Sequence, residues 1–131
     1  MAAAGRASIS GGTFTVEGSG ADIWGTADGF HYMSTLVSGD FDMTARVADV
    51  QNVDRWTKAG IMVRHTFDAD SPHAMLIVTP TTEKGVAFQR RPERHPAAVS
   101  NGYASAAISR RHRVSTTSTS SADSFVPKGL L

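Results

Sequence analysis

Apolar and polar side chains alternate in short stretches from Thr13 to Arg91, each stretch closed by Gly, Asp, Pro or Ser and recurring about every ten residues. A period of two places successive side chains on opposite faces of a pleated strand, so the pattern predicts strands throughout. Thr13 to Glu17 sets Phe14 and Val16 against Thr13, Thr15 and Glu17. Phe30 to Val37 follows, bounded by Asp28-Gly29 and Ser38-Gly39-Asp40, which read as tight turns with positive φ at glycine. Phe41 to Val50 alternates most regularly, with Phe41, Met43, Ala45 and Val47 on one face. Lys58 to His65 opposes Ala59, Ile61 and Val63 to Lys58, Gly60, Met62 and Arg64. Ala74 to Thr79 is apolar on both faces, as in a central strand, and Val86 to Arg91 is the last of the series.

About six antiparallel strands with an apolar face need a second layer over that face, so the expected fold is an all-β antiparallel sandwich. From Pro92 the pattern stops. Residues 92 to 131 offer Val99, Ile108, Val114, Phe125, Val126, Leu130 and Leu131 without any common period, among Ser, Thr, Arg and Ala. The expected organisation is a flexible stretch over 1–12, a partial sandwich over 13–91 and a disordered, low-complexity tail over 92–131.

Charge divides at nearly the same place. Up to Phe88, six Lys and Arg face ten Asp and Glu; from Gln89 onward seven basic residues face Glu93 and Asp123. The whole chain of 131 residues therefore nets only +1. A basic tail with Arg110-Arg111-His112-Arg113 favours phosphate electrostatically, but no aromatic interleaving accompanies it, so a solvated tail is the stronger reading and nucleic acid is not an expected partner. Cysteine is absent, which removes disulfides and thiolate chemistry. Met1 to Gly12 lacks the apolar run of a signal peptide, and no stretch approaches membrane-spanning length.

Several linked segments resemble the bacterial concanavalin A-like jelly-roll domains, the group related to β-xylosidase C-terminal and "regulation of enolase" domains. They are Gly20-Ala21-Asp22-Ile23-Trp24-Gly25-Thr26-Ala27-Asp28-Gly29-Phe30-His31-Tyr32, Gly39-Asp40-Phe41, Ala45-Arg46-Val47, Trp56-Thr57-Lys58-Ala59-Gly60-Ile61-Met62-Val63-Arg64 and Gly85-Val86-Ala87-Phe88-Gln89-Arg90-Arg91. The resemblance implies a lectin- or glucanase-like sandwich beside other modules in a secreted or cell-surface bacterial protein. It also implies further strands and another tryptophan beyond Trp56, which this chain lacks, so a truncation or reading-frame change after about Arg91 is expected.

Chemistry is sparse. A retaining glucanase needs two carboxylates about 5 Å apart, whereas the three glutamates, Glu17, Glu83 and Glu93, fall in different segments. Asp68-Ala69-Asp70-Ser71 has oxygen ligands at a spacing of two, a candidate for calcium that is too short to specify a site, so no cofactor is expected. The five histidines show no zinc spacing. Sugar binding needs an aromatic plate and planar polar groups. Trp24 is the expected stacking residue, with Arg46, Lys58, Arg64 and Gln89 as ligand-binding groups on one sheet face that Trp24 or His31 borders; the bland alternative packs Trp24 and Trp56 at the core rim and leaves Arg46 and Arg64 solvated or paired with Asp. The expected function is a non-catalytic carbohydrate-binding or adhesion module. Its alternatives are a glycoside hydrolase-like domain and a structural domain that packs against neighbouring modules or self-associates.

Overall fold

The computed structural model describes residues 4–94, 99–104, 111–116 and 126–130, with side chains over 4–94. Twelve strands and no helix occur among the described residues. They are β1 (Gly5–Ser10), β2 (Thr13–Gly18), β3 (Asp22–Trp24), β4 (Ala27–Gly29), β5 (Met33–Val37), β6 (Phe41–Arg46), β7 (Ala59–Arg64), β8 (His73–Val78), β9 (Val86–Arg91), β10 (Val99–Ala104), β11 (Arg111–Thr116) and β12 (Val126–Leu130). All pairings are antiparallel. The main sheet runs β10-β9-β8-β7-β12-β5, and β1-β2, β3-β4 and β6-β11 form two-stranded sheets. The architecture is an all-β antiparallel sandwich.

The six strands expected from alternation are all present, with β9 spanning the expected Val86 to Arg91 and β6 stopping at Arg46 rather than Val50. Gly39 has the positive φ expected of its turn, at 71°. Other segments differ. Residues 5–10, expected to be flexible, form β1, joined to β2 through Gly11 and Gly12, whose φ values of 55° and 78° suit a two-residue hairpin loop. Asp28-Gly29, expected as a turn, lies in β4. The stretch over 92–131, read as lacking strands, contains β10, β11 and β12. Ladder hydrogen bonds join backbone groups, so a segment without apolar periodicity still pairs where a neighbouring edge is open to it. Pro127, which has no N–H, is matched only to Leu36 of β5; pairing of β12 with β7 begins at Lys128.

The register stacks three rows across β7, β8 and β9. Gly60, Ile77 and Ala87 form one, Met62, Met75 and Gln89 the next, and Arg64, His73 and Arg91 the last. The first two rows meet Ile23 and Phe30, and these six residues, Met62, Met75, Ile77, Ala87, Ile23 and Phe30, make the buried core with Tyr32 against it. The sequence pattern placed Ala59, Ile61 and Val63 toward the core and Met62 and Arg64 away from it. Instead, Met62 and Arg64 are buried beneath β3 and β4, while Ile61 is equally buried on the opposite face. Both faces of β7 are covered, so alternation alone could not orient it. Gly60 is required by closeness: a Cβ there would collide with the Leu76 carbonyl oxygen.

The third row is charged and fully enclosed. Asp28 of β4 accepts from Arg91 through both carboxylate oxygens, at 2.6 and 2.7 Å, and from Arg64 Nη1 at 3.1 Å. The side chains of all three are 0% exposed. One carboxylate cannot satisfy two guanidinium forks, and backbone carbonyls take the remainder. Arg91 also donates to Gly25 O at 3.0 Å and Ser71 O at 3.0 Å, and Arg64 to Thr66 O at 2.8 Å and Asp68 O at 2.6 Å. Asp28 N–H donates to Ala69 O at 2.8 Å, so the 65–72 loop is sewn to β4 and to both arginines. The Arg64 guanidinium also lies over the Phe30 ring at 5.2 Å. Burial lowers the Arg64 pKa against the opposing pull of Asp28, but a guanidinium stays protonated.

His73 sits between the arginines, with Nδ1 at 3.4 Å from Ser71 O and 3.5 Å from Asp28 Oδ2. Burial drives its pKa from 6.5 down to about 4 despite Asp28, and the two neighbouring arginines push the same way. The imidazole is therefore neutral at physiological pH.

Removing one member of a buried ion pair leaves an uncompensated charge, at a cost of about 3–5 kcal/mol. Asp28→Asn is expected to lower the urea unfolding free energy by about that amount, whereas breaking the exposed Arg6–Glu17 pair with Glu17→Gln should leave it nearly unchanged. Between pH 6.5 and 4 the unfolded chain takes up a proton at His73 that the folded chain refuses, so stability falls with pH across that window, by about 3 kcal/mol from this residue. Urea titrations at pH 7 and 4.5 should show a smaller pH-dependent loss in His73→Gln than in the parent; an equal loss would remove His73 as its source.

Candidate functional site

A cleft of about 1110 Å³ opens where the β2 end, β3, the 49–58 segment and β9 converge. Close backbone approach shapes one wall. Gly20 leaves no room for a Cβ beside the Gly29 carbonyl, and the His31 ring fills the space that a side chain on Gly5 or Gly18 would need. Ser19 reinforces this wall, donating from N at 2.9 Å and from Oγ at 3.1 Å to Ala4 O.

The other wall is a turn built by Asp54. Its Oδ1 accepts from Trp56 N–H at 2.7 Å, its N–H donates to Thr57 Oγ1 at 3.1 Å, and its carbonyl accepts from Thr57 N–H at 2.9 Å. This turn presents Trp56 at the cleft, with Lys84 Nζ 4.7 Å from its ring centroid. Trp24, at the end of β3, stands across the two-residue turn at Gly25, whose φ is 61°. Trp24 is 45% exposed and Trp56 36% exposed. Together the two indoles leave flat apolar area in water at the same cleft, each with an N–H that can donate.

Lys58 couples β7 to β3. Its Nζ donates to Asp22 Oδ1 at 2.6 Å and to Ile23 O at 2.9 Å and lies 5.8 Å from the Trp24 centroid. Its side chain is 8% exposed, so it fixes the Trp24 edge of the cleft more than it reaches for a ligand. Gln89 lines the cleft from β9 and is 1% exposed; its Oε1 is buried without a hydrogen-bond partner among the described residues. A buried carbonyl oxygen left unpaired costs about 1–3 kcal/mol, and a ligand donor would recover that.

Of the five residues expected to bind, Trp24, Lys58 and Gln89 come together in this cleft, and His31 borders it as expected. Arg64 does not reach it, being consumed by Asp28 and the 65–72 loop. Arg46 ends β6, which pairs with β11 in a separate sheet. The sequence pattern put Arg46, Lys58, Arg64 and Gln89 on one sheet face with Trp24 as the stacking residue; the structure divides them, because Arg64 turns inward to Asp28 and Arg46 lies on a different sheet. Sequence reasoning missed Trp56 as a cleft wall, although Asp54 followed three residues later by Thr57 is a turn signal that carries it. The Asp68 to Ser71 loop, read as a calcium candidate, directs its backbone oxygens to Arg64 and Arg91, while both aspartate side chains face Arg94. No cluster of three metal-ligating side chains occurs among the described residues.

No family model matches the chain, and no curated protein or solved structure matches it. No helix among the described residues is long and apolar enough to cross a membrane.

Proposed function

We propose that this protein is a non-catalytic carbohydrate-binding module of concanavalin A-like type from a secreted or cell-surface bacterial protein, with the cleft between Trp24 and Trp56 as its binding site. The observation that carries this reading is the pair of exposed indoles beside a buried, unpartnered amide oxygen. A pyranose presents one apolar C–H face and a belt of hydroxyls. Indole rings take up the face, and planar amides and carboxylates replace the water around the belt. The volume of about 1110 Å³ slightly exceeds the usual range of small-molecule sites, which suits an oligosaccharide better than a single ring.

Titration of a glycan panel followed by tryptophan fluorescence tests the reading. At least one oligosaccharide should bind, and Trp24→Ala and Trp56→Ala should each weaken it about tenfold, equivalent to ~1.4 kcal/mol. Lack of response to every glycan, or equal affinity in the parent and both variants, would overturn it.

A further inference from the structure

We infer that the cleft prefers glycans bearing protonated amino groups, the glucosamine-type oligosaccharides, over neutral or uronic acid chains. This rests on the carbohydrate-binding reading above and adds its ligand class. Two independent observations converge. First, the lining is acidic: Glu17, Asp22, Asp49 and Asp54 contribute four carboxylates against the single cation Lys58, with His31 beside them. Arg6 engages Glu17, and Lys58 engages Asp22. Asp49 and Asp54 have no cationic partner among the described residues, so their charge is available to a ligand.

Second, the buried polar atom on the β9 wall is an acceptor. Gln89 Oε1 has no donor, and every hydroxyl or ammonium of a glucosamine unit can supply one. A uronate still offers hydroxyl donors to the amide oxygen, but its carboxylate is repelled by the aspartates. An ammonium meets opposite charge at the aspartates and donates to Oε1. Selectivity of this kind depends on exposed carboxylates and is therefore screened by salt.

The experiment is calorimetric titration of the full chain with glucosamine, glucose and galacturonic acid tetramers, at a pH where the amine is protonated, in low and high salt. The glucosamine tetramer is expected to bind about fivefold tighter than the glucose tetramer at low salt, with the galacturonate tetramer weakest and the spread narrowing in high salt. Asp49→Asn with Asp54→Asn should bring the glucosamine and glucose tetramers to parity. These positions are exposed and their amides preserve the turn acceptor, so folding is not at issue. Gln89→Met should weaken binding of both, with its folding checked by thermal denaturation. Binding of glucose as tightly as glucosamine, or a preference surviving in the double variant, would overturn the inference while leaving carbohydrate binding intact. Failure of all three tetramers and of the wider panel would overturn both.

Discussion

The fold turns on one carboxylate placed where water cannot reach it. Asp28 projects from a three-residue strand into the row Arg64, His73 and Arg91, and every polar atom it needs comes from strands and loops remote in sequence. Charges taken out of water are expensive, and their mutual attraction offsets that only when geometry is good and the remaining hydrogen bonds are made. Here five backbone carbonyls, from Gly25, Thr66, Asp68, Ala69 and Ser71, complete the two guanidinium forks. The cluster thus specifies a single position for β4. Because β3 is paired to β4 through Ile23 opposite Asp28, it also specifies where Trp24 stands.

The cleft inherits that placement. Its Trp24 edge is fixed twice, by the β3-β4 ladder and by Lys58 reaching from the start of β7 to Asp22 and Ile23 O. Its Trp56 edge depends on the local Asp54 turn and the nearby Lys84. One wall is therefore held by tertiary contacts and the other by short-range hydrogen bonds, which open at lower free energy. Ligand adaptation, where it occurs, belongs to the Trp56 side.

The six longer strands between Thr13 and Arg91 were legible because alternation and glycine turns are local signals, whereas the three-residue β3 and β4 are too short to show a period. Sidedness was less so. Met62 and Arg64 read as outward because they alternate with Ile61 and Val63, yet both lie inward, Met62 in the core and Arg64 where a carboxylate from 36 positions earlier meets it. Nothing local in Asp28-Gly29 distinguishes a buried acid from a turn residue; the distinction resides in Arg91, 63 positions away. For the site, aromatic and hydrogen-bonding side chains pointed to Trp24, Lys58 and Gln89, which line one cleft, whereas Arg46, equally polar, lies on β6 outside that lining. Pairing of β10, β11 and β12 escaped notice because their residues lack apolar periodicity, and the partners of β11 and β12 lie far off in the chain.

The position of β12 has a temporal consequence. It lies between β5 and β7, matching Leu130 to both Met33 and Ile61. A ribosome delivers that segment after β5 and β7 have already emerged, so the nascent sheet carries a slot between them that stays open until β12 arrives. Loop closure over so long a separation is slow, and an unfilled slot accepts any extended chain. Until β12 pairs, the facing edges of β5 and β7 are open to a wrong partner.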